Sequence, residues 1–151
     1  MRSVAIVAVL ISAALSVPAC AASLDDKTLD QASINALEIR AQQAQPREQC
    51  FLYAQLVHEM IEFSAQQYAA GDVDNATSLM KKAQEFTHKI SSVLAVNDKK
   101  LKDAQILLRH TAYRLNELLH SGNADDKELV QETLAQLNQA QNDAMLQVFK
   151  K

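Results

Sequence analysis

The stretch "PREQCFLYAQLVHEMIEFSAQQYAAGDVDNATSLMKKA" (46–83) decides the fold. Pro46 suits the first turn of a helix, where its missing N–H is not needed. No Gly or Pro interrupts the chain from there to Ala70. Gly71 then stands where a helix takes a left-handed C-terminal cap. Asp72 and Asp74 follow, and either can cap the next helix. The stretch therefore predicts a long helix, a very short turn and a second helix folded back on it. Within the first of these, Leu52, Tyr53, Leu56, Val57, Met60, Ile61, Phe63 and Tyr68 cover more than half the circumference. A helix with one covered face needs an apolar arc somewhat wider than 100°. Residues 46–70 thus predict a central element that touches several neighbours.

Working outward, the same periodicity continues. Ala76, Leu79, Ala83, Phe86, Ile90 and Val93 repeat by threes and fours on a helix reaching about Val96. Asn97-Asp98 caps a fourth helix, striped by Leu101, Ala104, Leu108, Thr111, Leu115 and Leu118 and stopped at Gly122. Asp125-Asp126 opens a fifth, striped by Val130, Leu134, Leu137, Ala144 and Val148 and ending in Lys150-Lys151. Leu24 to Gln45 makes a shorter, weakly amphipathic helix ahead of them. The last four are roughly 35 Å long at 1.5 Å per residue. Matched lengths and short loops predict antiparallel neighbours. The fold class is all-α: an antiparallel up-down helical bundle of four long helices (46–151), plus a shorter N-terminal helix (22–45).

Composition agrees. The 151 residues suffice for one core, and two Gly and two Pro leave little turn chemistry for a β-protein. A formal charge of −3 gives no sign of a nucleic-acid partner.

"FSAQQYAAGDVDNATSLMKKA" (63–83) resembles the turn region of a tetratricopeptide repeat. Ser64, Gly71, Ala76 and Ala83 fall where that family places small residues and its turn Gly. The likeness covers about one repeat. Its Trp and Tyr positions are unmatched, no Pro closes the unit, and no second copy follows. The resemblance implies an alternative architecture of tetratricopeptide-like helical hairpins and a protein-binding module.

The N-terminus reads as a signal peptide (1–21). Met1-Arg2 supplies the positive start, and Val4 to Val17 is apolar but short for a bilayer span. Pro18 breaks it, and Ala19-Cys20-Ala21 is a small-x-small cleavage site. Val17-Pro18-Ala19-Cys20 also resembles a lipobox, although Pro departs from that pattern. The expected location is periplasmic or secreted; the alternative is a lipoprotein held at a membrane through Cys20. Removing residues 1–21 leaves 14 Lys and Arg against 18 Asp and Glu, a charge of −4. Cys50 is then the last thiol, either buried or open to an intermolecular bond.

Candidate chemistry begins with Glu85-x-x-His88 and Glu117-x-x-His120, the spacing with which bundle helices hold a pair of metal ions. On a wheel of about 100° per residue, both motifs fall roughly 140–160° from their core stripes and point to solvent. Turning them inward would expose eight apolar side chains at about 1.5–3 kcal/mol each, more than a domain's net stability. His58 and Glu62 read as an ordinary pair on the polar edge of their helix. His88 and His110 read as solvated imidazoles at similar heights. Met60 and Met80 point inward, but no inward His accompanies them to ligate a haem. Lys99, Lys100 and Lys102 read as a solvated helix start. No phosphate loop, Gly-x-Ser-x-Gly or His-Glu-x-x-His appears. No catalytic, cofactor-binding or metal-binding residue is assigned, and the chain is not read as an enzyme.

The expected function is therefore protein–protein interaction, as an adaptor, subunit or chaperone-like binder, with a protein partner or a second copy. The alternative is a small-ligand or metal-binding bundle. The candidate association surface is Leu52, Leu56 and Phe63. Cys50, Ala54, Val57, Ile61 and Tyr68 already supply a core face on the same helix, and this second stripe lies roughly 160–180° away. A competing expectation is that the N-terminal helix covers it with Leu29, Ile34 and Leu37.

Overall fold

A computed structural model describes residues 29–94, 99–121 and 126–150. All regular structure among these residues is helical: α1 Gln31–Gln43, α2 Pro46–Ala70, α3 Val73–Val93, α4 Leu101–Ser121 and α5 Lys127–Phe149. The expected starts near Leu24 and Asn97 and the stop at Gly122 fall on or beside residues 1–28, 95–98 and 122–125, outside the described residues.

Local signals set the described ends. Asp30, Asp72 and Asp126 each accept a hydrogen bond from the backbone N–H three residues on, at 2.7, 3.3 and 3.1 Å. Gly71 adopts φ 81°, and the N–H of Asp72 reaches back to the carbonyl of Gln67 at 2.9 Å. That left-handed cap turns the chain within two residues, so α3 lies against α2. Ser64 Oγ donates to the Ala76 carbonyl at 2.8 Å, and Tyr53 meets Phe86 ring to ring at 5.7 Å. Among the described residues, Asp30 is extended and caps α1 at Gln31.

The four long helices form a closed square in the order α2, α3, α5, α4 and back to α2. α3 and α4, consecutive in sequence, sit on a diagonal and do not touch among the described residues. The direction of the chain alternates from helix to helix, as expected, and α2/α3 and α4/α5 are antiparallel neighbours. The other two sides are parallel. His58 meets Thr111, 53 residues on, and Glu62 meets Arg114, 52 residues on, so α2 and α4 advance together. α3 and α5 do the same, from Gln84 against Thr133 to Ser91 beside Asp143. The expectation that every consecutive pair packs side by side therefore fails at α3/α4. Its cause is the width of the apolar arc on α2, which takes α1, α3 and α4 on three faces. The backbone N–H of Lys99 donates to the Arg47 carbonyl at 3.2 Å, which ties the start of α4 to the first turn of α2. A closed square also differs from an open stack of repeat hairpins, in which each unit contacts only its neighbours.

The interior follows the predicted stripes. Leu56, Met60, Ile61, Met80, Ile90, Leu108, Leu115 and Leu137 are fully buried. Buried Thr87, Thr111 and Thr133 each donate to the carbonyl four residues back, so no hydroxyl proton is stranded in the core. No described helix is long and apolar enough to cross a membrane.

Candidate functional site

The stripe Leu52, Leu56 and Phe63 is not an open association surface. Leu52 is 5% exposed and Leu56 0%, while Phe63 is half-buried against the core. α1 folds back along α2 and buries Ile34, Leu37 and Ala41 there. Covering Ile34 and Leu37 contributes roughly 3–6 kcal/mol to holding α1 against α2. Glu38 on α1 also pairs with Lys82 on α3 at 3.2 Å.

The same stripe holds a buried carboxylate. Glu59 follows Leu56 by three residues and precedes Phe63 by four, so all three share a face. It is buried, and its Oε1 accepts from Gln55 Nε2 at 3.1 Å. Reading charged residues as the polar edge of α2 misses it; its spacing from Leu56 was the available signal.

A second polar group crosses the α2–α4 seam. His58 Nδ1 lies 2.9 Å from Thr111 Oγ1, and that hydroxyl donates to the Leu107 carbonyl at 2.9 Å. Burial holds the His58 imidazole below its ordinary value of 6.5, although Glu62 and Glu59 pull it upward; His110 adds to the lowering. One turn further, Arg114 Nε meets Glu62 at 3.1 Å and its Nη1 meets Glu117 at 3.3 Å. Partial burial works against the Arg114 charge, but the two carboxylates outweigh it and raise its pKa. His58 is thus not simply paired with Glu62; it pins α2 to α4. Gln84 does the same for α3 and α5, donating from Nε2 to Thr133 Oγ1 at 3.0 Å. Both parallel seams are keyed by one long polar side chain on a buried threonine.

The two Glu-x-x-His motifs stay apart. Glu85, His88, Glu117 and His120 are all exposed. Glu117 is engaged by Arg114, and His120 Nδ1 lies 2.7 Å from the Asn116 carbonyl. Their helices occupy a diagonal, and following Glu62–Arg114 and Ser64–Ala76 puts Glu117 about 15 Å from Glu85 along the bundle axis. A two-metal site holds its ions within about 4 Å. Among the described residues no three His, Cys, Asp or Glu side chains converge. The diagonal also separates His88 from His110. Met60 and Met80 are core residues.

The exposed apolar surface lies elsewhere. Met145, Leu146 and Phe149 at the end of α5 are 38%, 58% and 78% exposed. Spacings of three and four put them on one outward arc, opposite buried Ala140 and Ala144. The first turns of α5 expose Lys127, Glu128 and Glu132, but the exposed residues nearer to this arc, Ala135, Asn138, Gln139 and Asn142, carry no charge. The periodicity that puts Val148 on the core stripe carries no signal for its outward neighbours, which is why this face is not evident from the sequence. No family model, curated protein or solved structure matches the chain.

Proposed function

We propose that this is an exported α-helical protein that acts by binding another polypeptide, through the outward face of α5. The carrying observation is the set of exposed side chains Ala135, Asn138, Gln139, Asn142, Met145, Leu146 and Phe149, uncharged along its length and strongly apolar at its end, with half-buried Asp143 at its edge. The exposed faces of α3 and α4 carry more charge, with Lys81, Glu85 and Lys89 on one and Lys102, Arg109 and Glu117 on the other, where Tyr113 stands as an isolated exposed ring. Covering Met145, Leu146 and Phe149 is worth about 3–6 kcal/mol. That alone makes a weak contact, since association has its own entropic cost. The uncharged residues extend the face without the desolvation penalty that buried charges carry. A partner helix laid along α5 would use both parts. Export rests on Met1-Arg2, the apolar run Val4 to Val17 and the small residues around Ala19–Ala21.

Sedimentation and envelope crosslinking of wild type against Leu146→Asp and Phe149→Asp test the reading. The complex, with a second copy or a different protein, is expected to disappear while helical content and melting temperature stay unchanged. A complex that survives both substitutions, or the absence of any complex in the wild type, would overturn it.

A further inference from the structure

A cleft at the opposite side of the bundle points to a second binding function. It is lined by Arg40 from the last turn of α1, Glu48, Phe51 and Leu52 from the start of α2, and Lys99 and Lys100 just before α4. Its volume is about 110 Å³, room for a small head group, and it adjoins a wider groove. Three cations face one carboxylate there, in a chain whose net charge is −3. Lys100 Nζ sits 4.7 Å from the centre of the Phe51 ring, which holds that ammonium at the wall of the cleft. Gln45, at the α2 cap position, makes no side-chain bond to the first-turn N–H groups.

The cleft does not end at the cations. A groove sharing Arg40, Glu48 and Leu52 continues between α1 and α2 to Ile39, which is 56% exposed. The site thus has a cationic head beside an open groove of mixed polarity, with Ile39 as its exposed apolar side chain. We infer that it binds a small amphipathic organic carboxylate, its carboxylate between Arg40 and Lys99 and its apolar body along Leu52 and Ile39. The inference is independent of the α5 face.

Octanoate, kept below its self-association concentration, is the probe, titrated calorimetrically into the purified protein. Saturable binding at one site is expected, with the Ile39 methyl resonances shifting along the same isotherm. Acetate, lacking the apolar body, and octylammonium, carrying the opposite charge, should each bind at least about tenfold more weakly. Arg40→Gln with Lys99→Gln should weaken octanoate about tenfold, and added salt should weaken it in the wild type. All these side chains are exposed, so the fold is retained, and circular dichroism checks it. Glu48→Gln, which removes the one acid, should tighten binding. Failure of octanoate to saturate, equal binding of octylammonium, equal binding of inorganic phosphate, or indifference to the Arg40/Lys99 double substitution would each overturn the assignment.

Discussion

His58 and Thr111 meet across the α2–α4 seam at 2.9 Å, and one arrangement of protons satisfies both this contact and the one from Thr111 to Leu107. The Thr111 hydroxyl has already given its proton to the Leu107 carbonyl, so its oxygen accepts and His58 Nδ1 donates. The neutral imidazole then carries its proton on Nδ1 and leaves Nε2 free to take a second one. Burial opposes that second proton more strongly than Glu62 and Glu59 favour it.

A pH dependence of stability follows. The folded state holds the His58 pKa below its unfolded value near 6.5, so the unfolded chain binds more protons in that range. Stability is therefore complete above about pH 6.5 and declines as the pH falls through the unfolded and then the folded value. Denaturant melts at steps between pH 7.5 and 5 should show this decline, and His58→Gln should flatten it. Thr111→Val should lower stability at pH 7.5 as well, since it leaves Nδ1 without its acceptor. An unchanged slope in His58→Gln would assign the pH dependence to other groups.

Gly71 bears on the turn that makes the hairpin. Its φ of 81° lies where a side chain is strained, although no atom stands within 4 Å of an added Cβ. The cost of substitution is therefore conformational rather than steric. Gly71→Ala should destabilise by about 1 kcal/mol, and Gly71→Asn by less, because Asn tolerates the left-handed region. Equal losses for both in thermal melts would point to a packing clash instead.

Such local features were legible in the sequence, and nonlocal ones were not. Pro46, Gly71, Asp72 and Asp126 act on their own neighbours, so the ends of α2 and the starts of α3 and α5 followed from residue type. The stripes on α3 and α4 were read almost residue for residue, because a core face is a periodicity. Which helix meets which face of α2 is a different kind of fact. Nothing in the spacing of α3 or α4 says that they avoid each other; that depends on the choice α2 makes among three partners. Arg40 and Lys99 lie far apart in sequence and no periodicity joins them, so Lys99 and Lys100 read as a solvated helix start. Leu52 and Leu56 could be seen to need cover, but the sequence left open whether α1 or another chain supplies it.

Cys50 is a buried thiol with 0% exposure. Ellman's reagent should leave it unmodified in the folded protein and titrate it only in denaturant. Non-reducing electrophoresis should show no covalent dimer through this residue. Mass spectrometry of exported protein is expected to find a chain beginning at Ala22, with Cys20 gone. A diacylglyceryl group on Cys20 would place the protein at a membrane through a lipid anchor. Rapid reaction of Cys50 in the native state would mean that the start of α2 opens far more often than its burial indicates.

Leu56 decides whether the second apolar stripe of α2 serves the fold or a partner. Its side chain is fully buried, on the face of α2 against which α1 packs Ile34, Leu37 and Ala41. Truncating such a residue removes its transfer free energy and leaves a cavity, so Leu56→Ala should cost about 2–5 kcal/mol. Leu56→Asp adds the cost of a buried, unpaired charge and should melt far earlier or fail to fold. If α1 is the cover, Ile34→Ala should also destabilise, and a double-mutant cycle with Leu56→Ala should show coupling, since the second truncation enlarges a void already made. The outward substitution Leu146→Asp should not couple to either. Light scattering is expected to give the same assembly size for Leu56→Ala as for wild type, because α1 already covers this stripe. A stable Leu56→Ala with a smaller assembly would reverse the assignment. It would return the association surface to α2 and leave α1 as a segment that another copy displaces.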